Sequence, residues 1–222
     1  CLRGFTLAER RFRQATTLTP WDRHDVGKVS RTGDRTLGII GCGRIGSATA
    51  LRAKALKMRV MIYDPYLRPG MEKVCGGERV DLGYLLKESD VVSMHTPLTE
   101  ETRHLMDAQA LSQMKPTAYL VNTSRGAVVD TSALAEALRE RRIAGAGIDV
   151  LPHEPPSLED PLIQLWQADH DPPINLTITP HTAYYSEAAL LEIREKSSAE
   201  VARMLRGEAP WNVVNGEWLK QV

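Results

Sequence analysis

Three polar clusters in this sequence carry side chains suited to carbonyl–alcohol redox chemistry. Val121-Asn122-Thr123-Ser124-Arg125-Gly126 closes an apolar run with an arginine beside a glycine. Gly147-Ile148-Asp149-Val150-Leu151-Pro152-His153-Glu154-Pro155 closes another with carboxylates at Asp149 and Glu154, and Thr179-Pro180-His181-Thr182-Ala183 closes a third with a histidine. An arginine orients a substrate carboxylate and polarises the neighbouring carbonyl. A histidine gives or takes the hydroxyl proton, and a glutamate holds the imidazole and favours its charged form. Each residue also has a plainer reading. Arg125 could be a surface ion-pair partner, and Glu154 before Pro155 a turn residue. His153 competes with His181 as proton carrier, but Pro152 and Pro155 place it in loop. The three clusters together, each at the end of an apolar run, favour Arg125, Glu154 and His181.

A fourth segment, Leu37-Gly38-Ile39-Ile40-Gly41-Cys42-Gly43-Arg44-Ile45-Gly46, reads as strand, tight turn and helix start. Gly41 permits the turn, Gly43 lets backbone approach a pyrophosphate, and Gly46 lets helix and strand pack closely. The amides of Arg44 and Ile45 then point at phosphate with the helix dipole behind them. The next apolar run ends in Tyr63-Asp64-Pro65, which places Asp64 to accept hydrogen bonds from both adenosine-ribose hydroxyls. The plainer role for Asp64 is to cap a turn. Its carboxylate would repel a 2′-phosphate, so the expected cofactor is NAD rather than NADP, with Arg68 the one nearby cation that argues otherwise.

Positioning these groups requires a repeating strand–helix framework. Strand-length apolar runs lie at 36–40, 59–63, 91–96, 118–123, 144–150 and 176–179, with helical patterns at 45–56, 82–87, 108–114 and 131–141 between them. Nearly continuous apolar strands separated by helices imply a parallel sheet covered on both faces. The expected fold is α/β, a doubly wound parallel sheet of the NAD(P)-binding Rossmann type over 36–180. Residues 1–35 hold one helical stretch at 7–14 and a linker, and 181–222 hold a long helix starting at Ser186 and stopping at Gly207. The proline-rich stretch 152–175 reads as a long loop beside the site. Hydrophobic residues make up 42% of the 222 residues and charged residues 25%, which excludes a disordered or fibrous chain. With 28 basic and 28 acidic side chains the net charge is zero, so direct nucleic-acid binding through bulk charge is not expected. No apolar run reaches the ~18 residues of a membrane span. The three cysteines form no C-x-x-C pair, so neither a disulfide framework nor a metal site is expected, and a reducing cytoplasm is the expected compartment.

These motifs, from Leu37 to about Gly207, resemble the NAD-dependent D-isomer-specific 2-hydroxyacid dehydrogenases. Asp64-Pro65-Tyr66 and His181-Thr182-Ala183-Tyr184-Tyr185-Ser186-Glu187 look most like its C-terminal-binding-protein branch, which includes corepressors that keep the dehydrogenase fold and carry Trp in place of Tyr184. The resemblance implies that Arg125 binds a substrate carboxylate, Glu154 partners the histidine and His181 is the acid/base. It implies cofactor contacts from Arg44, Ile45, Asp64, Thr96, Pro97, Thr102, Thr123, Ser124 and Asp149, with Asp149 on the nicotinamide carboxamide. It implies a small 2-hydroxy or 2-oxo acid as substrate and a homodimer built through the cofactor domain. Family members carry a further segment ahead of the residues matched here, which forms most of their substrate domain. The chain is therefore expected to be a cofactor domain with remnants of that second domain, its C-terminal helix returning to pack on it.

Overall fold

A computed structural model of the chain describes residues 8–9, 12–13, 29, 31–168, 170, 173–211 and 213. Of the helix expected at 7–14, residues 8–9 and 12–13 are helical and the others lie outside the described residues, as do Cys1 and the end of the tail. The chain divides into two compact units, Cys1–His181 and Thr182–Val222.

The first unit is built on β1 (Thr36–Ile40), α1 (Arg44–Ala55), β2 (Arg59–Tyr63), α2 (Met71–Val74), β3 (Glu78–Arg79), α3 (Leu82–Glu88) and β4 (Val91–Met94). It continues through α4 (Ala108–Ser112), β5 (Tyr119–Asn122), α5 (Thr131–Arg139), β6 (Gly145–Ile148), α6 (Pro161–Gln167) and β7 (Leu176–Ile178). All seven strands pair in parallel in the order β3-β2-β1-β4-β5-β6-β7. The chain reverses direction across the sheet between β1 and β4, the switch point at which open α/β sheets open a crevice for ligands.

Strand alternation separates two cores. Leu37, Ile39, Val60 and Ile62 pack with Ala50 and Ala53 of α1 on one face. Ile40, Met61 and Met94 pack with Leu85 and Leu86 of α3, Leu111 of α4 and Leu134 of α5 on the other. Both faces of the strands are therefore apolar, as parallel sheets require. The helices start where short polar side chains satisfy orphan amides. Asp81 accepts from Tyr84 N, Asp107 from Ala110 N, Asp130 from Ser132 N and Ala133 N, and Asp160 from Leu162 N and Ile163 N. Helices α1 and α2 are different: their N-caps are Gly43 and Gly70, with no capping side chain.

Two expectations are corrected. The sheet has one strand more than the six expected, because β3 is two exposed residues that pair with β2, too short to show a pattern. The stretch 152–175 is not all loop, since Pro161 starts α6 instead of breaking a helix. At the first helical position proline lacks only an amide that would be orphaned anyway, and Asp160 caps the turn while Leu162, Ile163 and Leu165 are buried.

In the second unit, Ser186 accepts from Ala189 N and opens α7 (Glu187–Leu205), on which Leu191, Ile193, Val201, Met204 and Leu205 are exposed. Among the described residues no helix is long and apolar enough to cross a membrane.

Candidate active site

The glycine turn leaves β1 at Ile40. Gly41 has φ +88°, and a Cβ there would sit 2.9 Å from the His95 carbonyl carbon and oxygen, so only glycine fits this bend. A Cβ on Gly46 would lie 2.1 Å from Gly41 O, which is the close approach of helix to turn expected from the sequence. Gly43 meets nothing within 4 Å, so its side is open to a ligand. The first amides of α1 behind it lack intrahelical partners and carry the positive end of the helix dipole.

Asp64, at the end of β2, takes the plainer of the roles considered for it and keeps room for the other. Its Oδ2 accepts from Cys42 N at 2.8 Å and its Oδ1 from Tyr66 N at 2.9 Å, so it does cap the turn. Each carboxylate oxygen has a second lone pair, which leaves capacity for ribose hydroxyls. Thr96 Oγ1, beyond β4, is buried without a hydrogen-bond partner, an arrangement that suits a polar ligand group. Gly41, Gly43, Asp64, Thr96 and Pro97 line a cavity of about 660 Å³ in front of the turn. The open face at Gly43, the unpaired Thr96 hydroxyl and the spare acceptors of Asp64 together fit a dinucleotide.

His95 stands in the wall of the same cavity, with Nε2 2.9 Å from Ser93 Oγ. Burial lowers its pKa to about 4, so it is neutral there. Cys42 and Cys75 lie buried below the turn with sulfurs 3.8 Å apart, and burial, with the hydrogen bond to Cys75, pushes the Cys42 thiol up to about 12.

The acid–base rim is built by strand ends β5, β6 and β7. Asn122, fully buried at the end of β5, accepts from Ser124 N at 3.0 Å and Ser124 Oγ at 2.8 Å, and donates from Nδ2 to Arg125 O at 2.9 Å. This turn presents Arg125 to solvent, where its Nη1 donates to Ser124 O at 2.7 Å. Thr123 is exposed beside it, whereas the Ser124 hydroxyl is committed to Asn122. Asp149, 5% exposed, accepts from Thr179 Oγ1 at 2.5 Å, and its backbone oxygen accepts from His181 N at 2.8 Å.

His181 Nδ1 lies 2.8 Å from Glu154 Oε2, and Glu154 Oε1 accepts from Leu151 N at 3.0 Å. The hydrogen bond from His181, then that from the Leu151 amide, hold the Glu154 carboxyl below its ordinary range, so it is ionised at neutral pH. His181 has φ +54°, a left-handed backbone held by amide bonds to Asp149 O and Thr179 O. With Nδ1 engaged by the carboxylate, Nε2 is the ring nitrogen that could exchange a proton with a ligand. Asp149, Glu154 and His181 line a second, mostly apolar cavity of about 400 Å³ with Pro156, Ile163 and Trp166. His153 is exposed and no hydrogen bond ties it to this group.

The structure thus brings His181 and Glu154 into contact and sets Arg125 on the neighbouring strand end. It turns the Thr102 hydroxyl inward, onto Pro97 O at 2.7 Å. Three supporting residues, Asn122, Thr179 and Gly126, were not assigned from sequence. Gly126 could be suspected from its place after Arg125, but its partner could not. A Cβ on it would fall 1.9 Å from the Leu151 carbonyl carbon, so the β5 loop rests directly on the backbone of the loop that carries Glu154. All of these residues lie within the first compact unit. Among the described residues, no cluster of three or more His, Cys, Asp or Glu side chains could hold a metal ion.

A seven-stranded parallel sheet with an open glycine turn at its switch point and a His–Glu pair at its rim defines a dinucleotide-binding domain. The chain belongs to the D-isomer specific 2-hydroxyacid dehydrogenase family: residues 1–183 match that family's NAD-binding domain. It is 48% identical over 186 residues to a glyoxylate reductase of Korarchaeum cryptofilum, covering 84% of this chain and 54% of that protein. It superposes with a TM-score of 0.81 on the NAD-complexed D-isomer specific 2-hydroxyacid dehydrogenase of Lactobacillus delbrueckii ssp. bulgaricus, at 32% identity over 96% of this chain and 65% of that one. The D-lactate dehydrogenase of Aquifex aeolicus, complexed with NAD and lactic acid, gives the same TM-score at 34% identity, over 93% of this chain and 63% of that one. The chain spans about half the length of the Korarchaeum relative.

Proposed function

We propose that the protein is an NAD-dependent oxidoreductase that interconverts a 2-hydroxy acid and the corresponding 2-oxo acid. The observation that carries this reading is the 2.8 Å pair between His181 Nδ1 and Glu154 Oε2 on the strand-end rim, with Arg125 on the adjacent loop. Bound NAD(H) supplies the hydride for reduction or takes it in oxidation. Arg125 binds the substrate carboxylate, and its charge draws electron density from the neighbouring carbonyl. His181 Nε2 gives a proton to the carbonyl oxygen as it becomes an alkoxide, and takes it back in the reverse direction. Glu154 holds the imidazole in the tautomer and orientation this transfer needs, and stabilises it while it is charged.

On the cofactor side, the Arg44 and Ile45 amides hold the pyrophosphate, Asp64 the adenosine ribose and Thr96 a polar group of the adenosine half. Thr123 and Asp149 serve the nicotinamide half, where the bond from Thr179 fixes the Asp149 carboxylate. In this reading the protein acts as a homodimer in the cytoplasm, without direct contact to nucleic acid or membrane.

The segments Asp64-Pro65-Tyr66 and His181–Glu187 favour one second reading, an NAD(H)-responsive, corepressor-like module of the C-terminal-binding-protein branch. One experiment separates the two. The natural full-length protein is mixed with NADH and a panel of 2-oxo acids that includes glyoxylate and pyruvate, and NADH oxidation is followed by absorbance. Turnover that depends on the acid supports the enzyme, and NADH binding without turnover across the panel supports the module.

A further inference from the structure

The loop after β2 and the loop after β4 stand on either side of the glycine turn, because β2 and β4 are the two neighbours of β1 in the sheet. Tyr66 rises from the first loop and Glu101 from the second, and both line the cavity in front of the turn. The Tyr66 hydroxyl donates to Glu101 Oε2, although Tyr66 is 75% exposed. This bond therefore runs across the outside of the cavity, with the turn behind it.

Both ends of the bridge are anchored. The Tyr66 amide is held by Asp64 Oδ1, on the same carboxylate whose other oxygen caps the turn. Glu101 sits in a tight turn closed by Thr102, whose hydroxyl donates to Pro97 O at 2.7 Å and accepts from Thr99 N at 2.8 Å. Arg103 N also bonds Thr99 O at 2.9 Å. The Thr102 side chain is thus spent on shaping the turn that presents Glu101.

We propose that Tyr66 and Glu101 form a strap across the adenosine half of the cofactor cavity, set by Asp64 on one side and Thr102 on the other, which gates entry and release of NAD(H). This rests on the assignment of the cavity to the cofactor. The phenol keeps its proton over the working range, because the hydrogen bond to Glu101 raises its pKa. A strap of one hydrogen bond between exposed groups is weak enough to open on each passage and strong enough to slow it. Removing an interaction of this size changes a rate by about 3–10-fold. A gate differs from a ligand contact in its kinetics, since opening it speeds both passage in and passage out, whereas a lost contact speeds release alone.

The test is stopped-flow fluorescence of NADH binding to the 222-residue chain, with thermal melting to verify folding. Tyr66→Phe and Glu101→Ala should each raise the association and dissociation rates together by about 3–10-fold, leaving Kd nearly constant. The double variant should match either single one, because both remove the same bond. Glu101→Gln keeps an acceptor oxygen and should stay near the unmodified rates. Faster release with unchanged association would make these residues ligand contacts and overturn the strap. Additive effects in the double variant, Glu101→Gln behaving as Glu101→Ala, or unchanged rates in every variant would also overturn it. Failure of the unmodified chain to bind NADH would remove the cofactor assignment and the strap with it, an outcome distinct from binding with unaltered rates.

Discussion

At Asp64, one carboxylate accepts from the Cys42 and Tyr66 amides and is also the group assigned to the ribose. Asp64→Ala should therefore weaken NADH by about 10–100-fold, the cost of losing hydrogen bonds to a charged acceptor, and should narrow its advantage over NADPH. Fluorescence titration with both nucleotides checks this, and equal affinities for the unmodified protein would refute the ribose role. The neighbouring candidates His153 and His181 are separated by a single geometric fact, the Nδ1–Oε2 pair at Glu154. Steady-state kinetics on the full-length protein should show His181→Ala lowering kcat by roughly 10²–10⁴-fold with NADH affinity retained. His153→Ala should leave kcat unchanged, and the reverse ranking would move the proton carrier to His153.

The loop after β5 and the loop after β6 carry the candidate residues Arg125 and Glu154, and they meet closely at the backbone of Gly126 and Leu151. Nothing in Gly126-Ala127-Val128 names Leu151 as its neighbour, yet a side chain at residue 126 would collide with the Leu151 carbonyl carbon. Gly126→Ala should force these loops apart and cost about 1–3 kcal/mol, the usual penalty of overpacking. Because Arg125 and Glu154 ride on the two loops, KM for the 2-oxo acid should rise while Kd for NADH holds. Thermal melting alongside substrate titration reads both effects, and a stability loss without a change in KM would leave Gly126 as a packing residue only. Strand and helix existence is a property that local pattern conveys well, since buried runs and Asp caps are contiguous in the chain. Short elements such as β3, held by a partner strand, and α6, opened by a proline, depend on contacts that local pattern does not contain.

The molecule as a whole carries a neutral histidine behind its cofactor turn, which ties stability to pH. Folding lowers the pKa of His95 from its ordinary 6.5 to about 4 by burial, so the unfolded chain binds the proton more readily. Its contribution is complete above about pH 6.5 and is lost as pH falls toward 4, at up to about 1.4 kcal/mol per pH unit. Urea unfolding across this interval should show that slope, and His95→Phe should flatten it; an unchanged slope would place the acid sensitivity elsewhere. The sequence by itself determined the α/β class, the three glycines of the turn, Asp64 at the end of β2 and the arginine, glutamate and histidine at strand ends. Each is legible because glycine, strand-end carboxylates and apolar periodicity have local physical requirements. Only the tertiary structure decided that Glu154 meets His181 across 27 positions, that Gly126 rests on Leu151, that Thr179 steadies Asp149 and that Tyr66 reaches Glu101. These are contacts between different strand ends, set by the order in which the sheet assembles, and no spacing along the chain encodes that order.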